Sequence, residues 1–474
     1  MSGVFYMNDE ALKIAQAKND GYLRVDPSTG FLRQAQDERR AGGLSGTVEL
    51  AGAKNAVLVT IASLVLTTGK SVLHNVPVSA DVFEMIELLR HLGAVVFFDT
   101  ENNQLSVDTT LVYSWHVSSM MMQKTRASIL IMGALLARFG KARIGGLPGG
   151  DAIGKRPIDY HLKNFAKMGV AIHYEGDFLC AEVDGLRSAR LVLEYPSVGA
   201  TENIIMAATR AQGATKIINA ACEPEVLDLI ACLRKMGAKI TVEAPATITV
   251  EGVAVLNPVE HTIIFDRLEA GSLLIAAAAT GGEINLPDAS ADLLDVFLLK
   301  LEEMGHTITV GENGKGIHLK ATQLPKAVSF KTGPFPGFPT DLQAPMMALQ
   351  CVARGTSVIE ETVFENRFHH AHELVRMGAS IKIEHNKTIV TGVEQLYGTH
   401  VVAADIRAST ALVIAGLVAH GVTTVSGLSH WKRGYENLEK KLQRLGANVT
   451  VHEAHEVHDK TIISVKSFAE EQVK

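Results

Sequence analysis

IELLRHLGAVV, residues 86–96, decides the fold. Its apolar positions Ile86, Leu88, Leu89 and Leu92 recur at helical spacing, and Gly93 then opens an alternating stretch. A glycine that caps a helix and leads at once into period-two alternation predicts a helix running straight into a strand. The same pattern returns as LKNFAKMGVAI, IACLRKMGAKI, LLKLEEMGHTI, HELVRMGASI and EKKLQRLGANV, with the glycine at 169, 237, 305, 378 and 446. Between these runs lies a second, more apolar set: NAVLVTIASLVLTTG, RASILIMGALLARFG, ATENIIMAATRAQG, AGSLLIAAAATGG, DLQAPMMALQCVARG and RASTALVIAGLVAHG. Helices apolar nearly all round must be enclosed inside a domain. The repeat therefore predicts six units, each of two helices and three or four short strands, such as SVLHNV, AVVFFDT and NQLSVDT in the first. Three units per domain give two similar α/β domains. A single long solenoid also satisfies the repeat, but it would leave one side of such uniformly apolar helices open.

A chain of 474 residues exceeds one hydrophobic core, and 47% hydrophobic with 20% charged residues describes a globular protein. A net charge of −6 offers no bulk field for nucleic acid. An anionic ligand would have to be held by local cations. Cys180, Cys222, Cys232 and Cys351 show no metal-ligand spacing, which suits a reduced, cytoplasmic setting. Neither a secretory leader nor a membrane-length apolar run is present. Residues 1–41 are polar, with a DPSTG turn and at most one short amphipathic helix around Asp9 to Lys18, and read as an appended arm. Nothing in the pattern fixes an oligomeric state.

The polar residues of the inner helices gather at their N-terminal ends: Lys54-Asn55, Arg126, Thr201-Glu202-Asn203, Asp266-Arg267, Thr340-Asp341 and Arg407. Six helices running one way in two opposed triplets would aim six N-termini into one cleft, a setting for a multiply charged anion. Ordinary N-capping accounts for Asp341 or Thr201. It does not account for Lys54, Arg126 and Arg407, because a cation at a helix N-terminus is disfavoured unless an anion offsets it. The stretch GGLPGGDAIGKRPIDYH, residues 145–161, adds a glycine loop with Asp151 at its tip, Lys155 and Arg156 behind it, and a helix start expected near Pro157.

AGAKNA, KTRAS, PGGDAIGKRPID, SVGATEN, EPEVLDL, DRLEAG, FPTDLQA, ETVFENRF, DIRAS and RGYENLEKKL, in this order from about Gly42 to Ala454, resemble the UDP-N-acetylglucosamine 1-carboxyvinyltransferases of the enolpyruvyl transferase family. The resemblance implies a two-domain inside-out α/β barrel with three repeats per domain. It places 54–263 in one lobe and 42–53 with 264–474 in the other. It also implies phosphoenolpyruvate and UDP-N-acetylglucosamine as substrates, with no metal or organic cofactor. The 3′-hydroxyl of the sugar attacks C2 of phosphoenolpyruvate while C3 is protonated, and phosphate leaves as C3 loses a proton.

Matched position by position, Lys54 and Asn55 contact phosphoenolpyruvate, and Arg126 lines the cleft. Arg156, Pro157, Ile158, Asp159 and Tyr160 form the uridine diphosphate loop, and Ser197, Val198 and Gly199 add a nucleotide contact. Asp341 is the presumed base, with Val363 beside the sugar. Arg367, Arg407 and Arg433 gather around the carboxylate and phosphate, Arg433 and Lys54 counting with Asp151 and Asp341 among the catalytic groups. Asp151 stands where the family usually has the cysteine that donates a proton and is alkylated by fosfomycin. A carboxyl with an ordinary pKa of roughly 3.9 is a poor acid at neutral pH, so that role requires a raised pKa, opposed by Lys155 and Arg156. Leu130 replaces an aromatic residue, and Tyr195-Pro196 precedes SVG where a basic residue occurs in relatives. Two alternatives stand beside this reading: enolpyruvyl transfer to another uridine nucleotide, and a catalytically silent nucleotide-sugar sensor. Shikimate 3-phosphate is disfavoured as acceptor, because the chain has the uridine loop and lacks a GSKS-type start.

Overall fold

A computed structural model describes residues 21–27 and 43–454. The helix expected around Asp9 to Lys18 lies outside them. Six outer helices, Ala80–Leu92, Asp159–Lys167, Pro224–Lys235, Asp295–Glu303, His369–Arg376 and Leu438–Arg444, each meet the predicted glycine within a residue or two of their end. Gly93, Gly169, Gly237, Gly305, Gly378 and Gly446 all take φ between 93° and 105°, and a strand follows each. The inner helices are Lys54–Ser63, Ile131–Phe139, Val198–Ala208, Arg267–Thr280, Gln343–Gln350 and Ile406–Val418. All fourteen residues of Arg267–Thr280 are buried, which explains the absence of a polar face.

Each unit closes with a four-stranded sheet of one design. In the second unit His116–Val117 lies parallel to Lys141–Gly145, which pairs antiparallel with Phe178–Glu182, which pairs antiparallel with Ala171–Glu175. The parallel edge strand of the first unit is Glu260–Thr262, from the far end of the third unit. That of the fourth unit is Ser45–Thr47. The sixth sheet departs from the reading of residues 1–41 as an appended arm, because Tyr22–Asp26 lies between Thr423–Ser426 and Asn448–His452, antiparallel to both. Leu23 and Val25 are buried there. A five-residue strand in a polar segment gives too little periodicity to be seen from sequence, and its partners lie some four hundred residues away.

Two separate apolar cores result. One runs from Ala53 to Ile263, and the other takes Leu23, Val25, Leu44, Val48 and Leu50 together with Leu268 to Val449. The chain crosses between them twice, and the crossings are tied side by side: Ala53 N–H donates to Ile264 O at 2.7 Å and Asp266 N–H to Ala51 O at 2.8 Å. The α/β architecture of two three-unit lobes, each wrapping its inner helices in small sheets, is the one the repeat predicts. A Cβ on Gly133 would come within 2.3 Å of Asn203 O, so the inner helices of the first lobe touch through backbone.

Candidate active site

Four inner helices deliver their first residues to one cavity of about 590 Å³ between the lobes, and the other two reach it through the 3-10 turns that lead into them, Arg126–Leu130 and Thr340–Leu342. Lys54, Asn55, Arg126, Ser197, Val198, Gly199, Arg267, Thr340, Asp341 and Arg407 all line it. Asp151, Arg156, Pro157, Tyr160, Val363, Arg367 and Arg433 complete the wall. Of the residues expected here, Ile158 and Asp159 do not line the cavity. Ile158 is buried in the first core, and Asp159 pairs with Lys163 at 3.4 Å. The helix expected near Pro157 starts at Asp159 with Ile158 as its cap, and Asp159 itself supplies the negative charge its N-terminus favours.

The glycine loop holds its shape by close contact. A Cβ on Gly149 would fall 1.8 Å from Gln123 O, so only glycine passes that point. Arg156 has a φ of 43°, a region costly for a side-chain-bearing residue, and its carbonyl accepts a hydrogen bond from Arg126 Nη2. The loop rests on the second lobe through Asn366 N–H, which donates to Ile153 O at 3.1 Å.

Two groups of charges surround the expected carboxylates Asp151 and Asp341. In the first, Arg433 spans the lobes, donating from Nε to Asp81 Oδ1 at 2.9 Å and from Nη1 to Asp151 Oδ1 at 2.7 Å. Lys54 Nζ donates to the other oxygen of Asp81 at 3.2 Å, and His430 Nδ1 lies 3.5 Å from Asp151. In the second, Asp341 accepts from Arg367 at 2.7 Å and from Arg407 at 2.8 Å. The Tyr435 hydroxyl, itself 3.1 Å from Ser272 and 3.0 Å from Thr410, accepts from Arg407 Nη1 at 2.8 Å. The anions that offset Lys54 and Arg407 are therefore protein carboxylates. Among the described residues Arg126 and Arg156 have no carboxylate within ion-pair distance. Burial, with Arg156 adding to it, pulls the Arg126 pKa down to about 10, which still leaves it charged at neutral pH.

The raised pKa required for Asp151 as an acid is not what this arrangement gives. Burial pushes its carboxyl up, but His430, Arg433 and Lys54 outweigh it and hold the carboxyl well below the usual range. The opposing cations come from the other lobe and the first inner helix, whereas Lys155 stands on the exposed side of the loop. Burial likewise raises Asp341, and Arg407 and Arg367 overcome it, leaving the carboxyl ionised.

Sequence reasoning missed Asp81, Glu223 and Glu225 and gave no role to Glu202 or Arg267. All five line the cavity. Arg267 pairs with Glu225 through two hydrogen bonds, 3.0 and 3.2 Å, across the lobes. The signals present were EPEVLDL and DRLEAG, while Asp81 lies in no motif quoted from the sequence. One other ligand-type trio, His173, Glu175 and Cys180, has donor atoms within 4.8 Å of one another on an outer hairpin, outside the cavity. Arg143, 3.6 Å from Glu175, sets a positive charge against a cation there.

A two-lobed cleft with six helix starts, an arginine-rich wall, and Asp151 and Asp341 each held by cations is a site for joining two anionic reactants. Comparison with known proteins agrees. The nearly full-length fold resembles the enolpyruvyl transferase NikO from Streptomyces tendae, with a TM-score of 0.80, 22% identity, and 92% of this chain and 100% of that one covered. It also resembles an EPSP synthase from Acinetobacter baumannii, at 0.70 and 18% with 91% and 99% covered. The protein is a transferase of the enolpyruvyl class. Residues 39–442 match the model of the EPSP synthase (3-phosphoshikimate 1-carboxyvinyltransferase) family, and the chain belongs to that family.

Proposed function

We propose that the chain transfers enolpyruvyl from phosphoenolpyruvate to the 3′-hydroxyl of UDP-N-acetylglucosamine with release of phosphate, the first committed step of peptidoglycan precursor synthesis, in the cytoplasm. The observation that carries the acceptor is the pair Arg126 and Arg156, which have no ion-pair partner among the described residues and line the cavity with the Ser197–Gly199 helix start, an arrangement that suits a diphosphate. No helix among the described residues is long and apolar enough to cross a membrane.

In this reading the phosphate and carboxylate of phosphoenolpyruvate compete for Lys54, Arg367, Arg407 and Arg433. Drawing Arg433 and Lys54 away from Asp151 removes the cations that depress its pKa and adds negative charge nearby, and both changes raise it. As its pKa rises Asp151 takes a proton from solvent, then gives it to C3 as the sugar O3′ bonds to C2, and Asp341, relieved of its arginines in the same way, takes the hydroxyl proton. In the elimination the Asp151 carboxylate takes a proton back from C3 as the C2–O bond to phosphate breaks, leaving the enol ether and free phosphate. The arginines stabilise charge as it develops in a cavity that excludes bulk water. A carboxylate is a far weaker nucleophile toward an epoxide than a thiolate, so this reading makes the enzyme insensitive to fosfomycin.

Phosphate release with phosphoenolpyruvate and either UDP-N-acetylglucosamine or UMP tests the acceptor. Turnover only with the sugar nucleotide supports the proposal. Turnover with UMP alone moves the enzyme to another uridine nucleotide, and binding of either without turnover makes it a sensor.

A further inference from the structure

Glu202, in the second turn of the inner helix Val198–Ala208, is 3% exposed and lines the cavity, yet its carboxyl makes no hydrogen bond to any described residue. The charges acting on it are Glu225 and Glu223, at the start of the neighbouring outer helix, and Glu225 in turn engages Arg267 with both oxygens. Glu223 accepts one hydrogen bond, from Phe335 N–H at 3.2 Å, and its other oxygen is buried with no partner. Three carboxyls thus share one cation, and Glu225 holds it through Nε and Nη2. Three buried negative charges with a single counter-charge are far costlier than two, so the carboxyl without partners is the one that keeps its proton. Burial, reinforced by Glu225 and Glu223, pushes Glu202 well above the ordinary range.

A protonated carboxyl has one O–H to give, and Glu202 lines the cavity. We propose that Glu202 is a specificity-determining residue that donates a hydrogen bond to an oxygen of the uncharged, hydroxylated part of the acceptor, while Glu223 and Glu225 exclude an anionic group from that end. The inference rests on a nucleotide-sugar acceptor. It divides the cavity in two, with phosphates and carboxylate among the arginines and the neutral sugar atoms against the acids.

The test is the KM for UDP-N-acetylglucosamine in wild type, Glu202→Gln and Glu202→Leu between roughly pH 6 and pH 9, with the phosphoenolpyruvate KM as internal control. The wild-type acceptor KM should rise with pH as the proton is lost, and the phosphoenolpyruvate KM should not follow. Glu202→Gln keeps an N–H donor at every pH and should abolish that rise. Glu202→Leu should raise the acceptor KM about tenfold or more over Glu202→Gln, the loss of one buried hydrogen bond. A Glu202→Gln profile as steep as wild type, or a wild-type profile that is flat, overturns the role of Glu202 and leaves the acceptor intact. Wild type that turns over no sugar nucleotide overturns both.

Discussion

Asp151 and Arg433 form an ion pair of 2.7 Å across the cleft, joining the glycine loop of one lobe to a helix of the other. The same guanidinium holds Asp81, so the Asp151 carboxyl is charged and restrained in this arrangement. Whatever loosens this pair also changes the acidity of Asp151.

Asp151→Asn removes the transferable proton while keeping shape and should lower kcat by a factor on the order of 10²–10⁴ in the phosphate-release assay. Asp151→Cys should make the enzyme sensitive to fosfomycin, with a covalent adduct on the loop visible by mass spectrometry. Rapid inactivation of the wild type by the epoxide would contradict both expectations.

Asp341→Asn should abolish turnover to a comparable degree and also alter stability. The folded-state pKa of Asp341 is depressed, so its contribution to stability is complete above the unfolded value of roughly 3.9 and is lost as pH falls below it. Thermal unfolding should therefore show wild-type Tm dropping as pH falls from about 5 toward 3. The slope should be shallower in Asp341→Asn, where Arg367 and Arg407 lack their partner at every pH.

Tyr435→Phe takes from Arg407 the hydroxyl it donates to at 2.8 Å without changing the packing of the ring. A neutral acceptor of this kind is worth about 1 kcal/mol, so the phosphoenolpyruvate KM should rise about fivefold. The acceptor KM should change little, and an equal rise in both would place Tyr435 in general stability instead.

Leu23→Ala tests the leading strand. Leu23 is 1% exposed in a sheet that the strand completes, and its truncation should cost about 2–5 kcal/mol in urea unfolding. A loss under 0.5 kcal/mol would mean that the strand is dispensable.

The repeat was legible because each unit solves the same local problem, burying an apolar helix, and capping glycines mark its period. Gly93 and its five counterparts could be read one by one, and so could the cations at helix starts, since a helix dipole is a property of local chain. Which carboxylate meets which cation could not be read. Asp81 and Arg433 are 352 positions apart, and Glu225 and Arg267 sit in different lobes.

The sequence by itself determined six helix–strand units, two cores and the identity of the residues at the inner helix starts, because hydrophobic periodicity and capping act over a dozen residues. Only the tertiary structure decided the charge state of Asp151, the isolation of Glu202 and the insertion of Tyr22–Asp26 into the last sheet. Those depend on distances of a few ångströms between segments far apart in the chain, and electrostatic and hydrogen-bond energies follow that separation in space rather than in sequence.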